Sequence, residues 1–82
     1  MTREERIGDE LRALVAERLR VDPAQVRVDG RIIQDLGLSS IDQVDFLLDI
    51  EERYPPFDLS APEVADLTTI RDLARWIAQV SP

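Results

Sequence analysis

Between Ser39 and Pro55 the chain carries a run that only a helix satisfies: Ser39-Ser40-Ile41-Asp42-Gln43-Val44-Asp45-Phe46-Leu47-Leu48-Asp49-Ile50-Glu51-Glu52-Arg53-Tyr54. Ser39 with Asp42 three residues on reads as a capping box, which makes Ser39 the N-cap and Ser40 the first helical residue. Pro55-Pro56 ends the run, so the helix spans about Ser40 to Tyr54. At helical spacing Phe46, Leu47, Ile50 and Tyr54 share one face, of which Phe46, Leu47 and Ile50 are expected in the core. Ile41, Val44 and Leu48 form a second apolar stripe, flanked by Asp42, Asp45, Asp49 and Glu52. A small domain needs only one buried stripe from such a helix. The second stripe either widens the core contact or stays exposed for a partner or a tethered chain to touch.

The remaining segments are helical or looped. Thr2 with Glu5 is a capping box, and Ile7, Leu11, Leu14, Val15 and Leu19 recur at helical spacing to about Arg20, with Gly8 weakening the early turns. Val21 to Leu38 is a long connection with turn signals at Asp22-Pro23 and Asp29-Gly30; a short helical turn is expected at Pro23. Val26, Val28, Ile32, Ile33 and Leu36 are expected to anchor this connection to the core. Ser60 with Glu63 suggests a capping box opening a short helix to about Asp66. Thr69 with Asp72 opens the last helix, whose Ile70, Leu73, Ala74, Ile77 and Val80 face inward, with Trp76 at the core edge. The reading is all-α: four helices, a long first loop, a short third helix and one domain over residues 1–82.

Composition narrows the chemistry. Eighty-two residues with 44% hydrophobic content suffice for one small core and argue against wholesale disorder. There is no cysteine, so disulfide and thiolate chemistry are excluded, and a cytoplasmic setting is expected. There is no histidine, which excludes a Ser-His-Asp triad and any His-ligated metal. With no glycine-rich phosphate loop either, catalytic residues and metal ligands are expected to be absent and the chain is not expected to be an enzyme. No apolar run approaches a membrane span.

The net charge of −7 is concentrated. From Asp35 to Asp66 nine acids face Arg53 alone, a net of −8, while the rest has eight acids and nine arginines, a net of +1. That asymmetry opposes nucleic acid and anionic membrane as partners and favours basic protein surfaces.

The stretch Leu36-Gly37-Leu38-Ser39-Ser40-Ile41, followed by the acidic helix, resembles the attachment site of acyl carrier proteins. That family's pattern is Leu-Gly-x-Asp-Ser-Leu, with 4′-phosphopantetheine esterified to the serine. The register places the modified serine at Ser40. Ser39 stands where the family has aspartate, which keeps a capping side chain and removes a charge; Ile41 stands for leucine. The order of helices, the long first loop and the Leu67-Thr68-Thr69-Ile70 entry to the last helix extend the resemblance over nearly the whole chain, with Tyr54-Pro55-Pro56-Phe57 as an idiosyncrasy. It implies a four-helix acyl-carrier-like bundle.

The resemblance also implies a function. A phosphopantetheinyl transferase would load Ser40 from coenzyme A, and the arm would present acyl groups as thioesters to loading, condensing and tailoring enzymes. Ile41, Asp42, Val44, Asp45, Leu48, Asp49, Glu51 and Glu52 would form the docking face, the acids steering it onto basic entrances. The chain looks like a monomeric, freestanding carrier, beginning with Met1 and ending soon after the last helix. Its acidity resembles discrete acyl carriers, and Ser39 points toward polyketide or hybrid secondary metabolism beside fatty-acid biosynthesis. The competing class is an acidic helical module that binds a basic partner without modification.

Overall fold

In the computed structural model residues 2–81 are described; Pro82 lies outside them, as does Met1, on which the freestanding expectation partly rests. The element order is α1 (Arg3–Leu19), a 3₁₀ turn (Pro23–Gln25), α2 (Ser40–Arg53), a 3₁₀ segment (Pro62–Asp66) and α3 (Ile70–Val80). The fold is all-α, and the only β feature among the described residues is one bridge between Arg31 and Thr69.

Local chemistry accounts for the boundaries. Thr2 Oγ1 accepts from Glu5 N at 3.1 Å and Glu5 Oε1 accepts from Thr2 N at 3.2 Å, so α1 opens with the full reciprocal box. These bonds, from Thr2's backbone and then its hydroxyl, hold the Glu5 carboxyl below its ordinary value. At the other end Arg20 takes a left-handed conformation, with φ 58. Val21 N then donates to Ala16 O at 3.0 Å and Arg20 N to Glu17 O at 3.3 Å, a Schellman closure. An arginine in this conformation costs about 1 kcal/mol that a glycine would not. Asp22 Oδ1 accepts from Ala24 N at 2.9 Å and opens the expected turn at Pro23.

The long connection is stitched to the start of α3. Ile32 N donates to Thr68 O and Arg71 N to Val28 O, each at 2.9 Å. The second bond satisfies one of the N–H groups that a helix start leaves unpaired. Thr69 Oγ1 accepts from Asp72 N at 3.0 Å, but Asp72 Oδ2 reaches Thr68 N, at 3.4 Å, instead of closing the box on Thr69.

Ile7, Leu11 and Val15 from α1, Phe46 and Ile50 from α2, and Ile70, Leu73, Ala74 and Ile77 from α3 form the core. The connections add Val26, Ile32, Leu38, Phe57 and Val64.

Ser39 and Thr69 each cap with the side chain alone, so the reciprocal box expected at Ser39 does not close, and four further expectations change. The short third helix is a single 3₁₀ segment rather than a fourth α-helix, because Pro62 starts it and Leu67 is already extended. Ser60 does not cap it: Ser60 N and Oγ both donate to Asp58 Oδ1, at 2.9 and 2.7 Å, and this local turn wins the competition. Those bonds also lower the Asp58 carboxyl. Leu47 is only partly buried, since Phe46 and Ile50 take the centre of the face. Ile33 points outward at 45% exposure while its neighbour Ile32 is buried, as a turn that buries one of two adjacent residues requires.

Candidate functional site

The site begins with a backbone constraint. Gly37 has φ +84, a left-handed conformation, and a Cβ built there would meet nothing within 4 Å. The demand on this position is therefore torsional rather than steric. The turn drives Leu38 into the core, where its N–H donates to Ile32 O at 3.3 Å, and sends the next residues back to the surface. Asp35 braces the same turn by accepting from Arg31 N and Nε, at 2.9 and 3.2 Å. These bonds, the backbone one foremost, hold the Asp35 carboxyl below its ordinary value.

Ser39 is the N-cap of α2: its Oγ accepts from Asp42 N at 3.1 Å and its carbonyl from Gln43 N at 2.9 Å. Ser40 is the first helical residue and is exposed. The N–H groups of Ser40 and Ile41 precede the first intrahelical bond, so partial positive charge gathers beside the Ser40 hydroxyl. An anion esterified there is favoured by about 0.3–1 kcal/mol. The two serines thus differ in kind. Ser39 Oγ is spent on the helix, whereas Ser40 Oγ faces solvent without a hydrogen-bond partner among the described residues. That arrangement fits a covalently attached phosphodiester.

At about 100° per residue Ile41, Val44 and Leu48 lie roughly opposite Phe46 and Ile50. They are exposed at 76%, 52% and 45%. The second stripe is therefore not part of the core; it is an outward apolar strip running from Ser40 along the helix. Replacing Val44 by serine is expected to move the thermal midpoint by no more than a few degrees, because little area is buried there. A large drop in a melting curve would place Val44 in the packing instead.

The acids around the strip divide into groups. Asp45 and Glu52 are exposed and Asp42 is partly so. Asp49 Oδ2 is bonded at 2.7 Å to Nη2 of Arg18 on α1, and Nη1 of the same guanidinium lies 3.9 Å from Asp45 Oδ2. Glu51 Oε2 accepts from Leu59 N at 3.1 Å, holding the chain that leaves α2. The docking set read from the sequence is therefore assembled on one helix, but Glu51 is also engaged in the fold and Asp49 is shared with an arginine. Arg18 was not legible: it stands 31 residues from Asp49, and no local spacing couples them.

Residues 9–77 match the family model described as phosphopantetheine attachment site. The chain is 33% identical over 74 residues to an acyl carrier protein of Campylobacter curvus, covering 90% of this chain and 95% of that one. It is 33% identical over 75 residues to an acyl carrier protein of Campylobacter hominis, with 92% and 94% covered. An acyl carrier protein of Chlamydia trachomatis serovar L2 is 30% identical over 73 residues, with 89% and 94% covered.

Proposed function

From the premise that this chain belongs to the phosphopantetheine-attachment family of acyl carrier proteins, we propose that Ser40 carries the 4′-phosphopantetheine and that the outward face of α2 docks the enzymes it serves. Members of this family are carriers rather than enzymes, and their prosthetic group is phosphopantetheine. The observation that carries the Ser40 assignment is the division of labour between the two serines, one capping the helix and the other exposed beside it. Intact mass after incubation with a phosphopantetheinyl transferase and coenzyme A tests it. A gain of one phosphopantetheine per chain is expected, and an unchanged mass would return the chain to the class of unmodified interaction modules.

When attached, the group supplies a flexible arm ending in a thiol that holds an acyl chain as a thioester. The rest is the work of this chain's residues. Ser39 keeps the helix start formed, and the first-turn N–H groups favour the phosphate. Ile41, Val44 and Leu48 give partners a small apolar contact. Asp42, Asp45, Asp49 and Glu52, with Glu51 at the far end, give long-range attraction for basic surfaces. Exposed charges act chiefly on association, so contacts form fast and stay brief, as transfer from enzyme to enzyme requires.

Reversing Asp45 and Glu52 to arginine together is expected to slow transfer to partner enzymes by roughly an order of magnitude at low salt and to flatten its salt dependence. Circular dichroism should be unchanged, since exposed pairs contribute about 1 kcal/mol or less. Partner kinetics indifferent to both reversals would reduce the acidic edge to a solvated face.

The pathway we propose is fatty-acid or polyketide and hybrid assembly, and Ser39 in the usual aspartate position favours the secondary-metabolite branch. The acyl load on protein isolated from its producing cells, read by intact mass, decides between them. A monomer is supported by the narrow strip and by a net charge of −7, which opposes self-association. Cysteine-free composition fits a reducing cytoplasm.

A further inference from the structure

Arg18 lies in the last turn of α1, and its guanidinium reaches across to two carboxylates one turn apart on α2. Its side chain is 24% exposed, less than that of any other arginine in the ion pairs among the described residues. The contact to Asp49 is short and charge-assisted; that to Asp45 is longer and leaves this carboxylate open on its outer side. Asp42 and Glu52 have no ion-pair partner among the described residues. The acidic edge is therefore graded: one carboxylate held by an internal arginine, one leaning on it, two without a counter-ion.

A partner arginine offers the same fork of donors that Arg18 already supplies. To use Asp49 it must displace Arg18; to use Asp42 or Glu52 it need displace only water. We propose that Arg18 is a built-in counter-ion that masks the Asp45–Asp49 side of the docking strip and so limits how strongly lysine- and arginine-rich partner surfaces are attracted. This rests on the docking role of α2 proposed above. The attraction is then concentrated at Asp42, beside Ser40, and at Glu52, so a basic partner is drawn in by the two ends of the strip rather than by its middle. An arginine contributed by α1 also makes that helix part of the recognition surface, although none of its residues belongs to the attachment motif.

The test is the rate at which a phosphopantetheinyl transferase modifies the whole chain with coenzyme A, measured as kcat/KM at low and at high salt. Arg18→Gln is expected to raise kcat/KM roughly two- to fivefold at low ionic strength, the effect of removing one opposing charge a few ångströms from the contact. The gain should vanish at high salt. Arg18→Lys, which keeps the charge, should stay near wild type. The double variant Arg18→Gln/Asp49→Asn removes the pair together and should also return to the wild-type rate, a comparison that holds even where the single variant loses stability. An unchanged or lower rate for a folded Arg18→Gln, or a double variant as fast as the single one, would overturn the masking role. Failure of this inference is separable from failure of the docking reading. If Asp45 and Glu52 reversals slow the transferase while Arg18→Gln does nothing, only Arg18 is wrongly assigned. If neither has an effect, the docking face itself is lost and masking with it.

Discussion

Ser40→Ala is expected to abolish the mass gain on treatment with transferase and coenzyme A, with helical circular dichroism retained. The hydroxyl is the only group this position offers to a phosphodiester, and removing it disturbs no hydrogen bond among the described residues. Ser39→Ala is expected to behave in the opposite way. It removes the acceptor for Asp42 N, 3.1 Å away, and costs about 1 kcal/mol of helix stability, yet the chain should still be modified to one equivalent. The pair of variants separates capping from attachment, which a single serine knockout cannot. Modification that survives Ser40→Ala and disappears in Ser39→Ala would move the attachment point one residue back and remove the rationale for the exposed hydroxyl.

The second large effect is on stability. Phe46 is 0% exposed and sits on the inner face of α2, among core residues drawn from all three helices. Phe46→Ala is expected to cost roughly 3–5 kcal/mol, from lost burial and from the cavity left behind. Domains of this size hold only about 0.05–0.15 kcal/mol per residue, so the loss removes much of the total and leaves the protein marginal at 25 °C. Urea unfolding followed by circular dichroism measures it. Leu47→Ala should cost markedly less, because Leu47 lies at the edge of the same face. Equal losses for the two variants would show that the burial difference between neighbours has no energetic weight.

That contrast marks where the sequence was legible and where it was not. Helical spacing separates the Phe46–Ile50 side of α2 from the Ile41–Val44–Leu48 side. It does not say which residue of the inner face is central, and Leu47 shows the error. Thr2, Ser39 and Thr69 were legible as caps because each side chain finds the N–H three residues on, and nothing nearby competes. Ser60 has the same spacing to Glu63, but Asp58 two residues before it takes both its N–H and its hydroxyl.

Two other features carry no periodic signal. Phe57 is a core residue that follows the Pro55-Pro56 pair in an irregular segment, so no stripe points to it. Arg18 meets Asp49 only because α1 and α2 pack side by side, and charge counting along the chain cannot pair them. The proposed attachment position could be named from a local pattern, Leu36-Gly37-Leu38-Ser39-Ser40-Ile41 with a capping serine, whereas the left-handed Gly37 and the burial of Leu38 emerge only in the structure. The proposed docking surface could be laid out from the sequence only on its own helix.

The bonds that fasten the long connection to the entry of α3, from Ile32 N to Thr68 O and from Arg71 N to Val28 O, have a mechanical meaning for the delivery proposed above. They join the segment leading to Ser40 to a helix whose inner face is already locked in the core. In its proposed role Ser40 is a pivot fastened through this segment to the core rather than the tip of a free loop. An arm attached there would sweep a volume centred on that pivot. Each enzyme would then have to bring its own entrance inside that volume, with the proposed docking face of α2 orienting it.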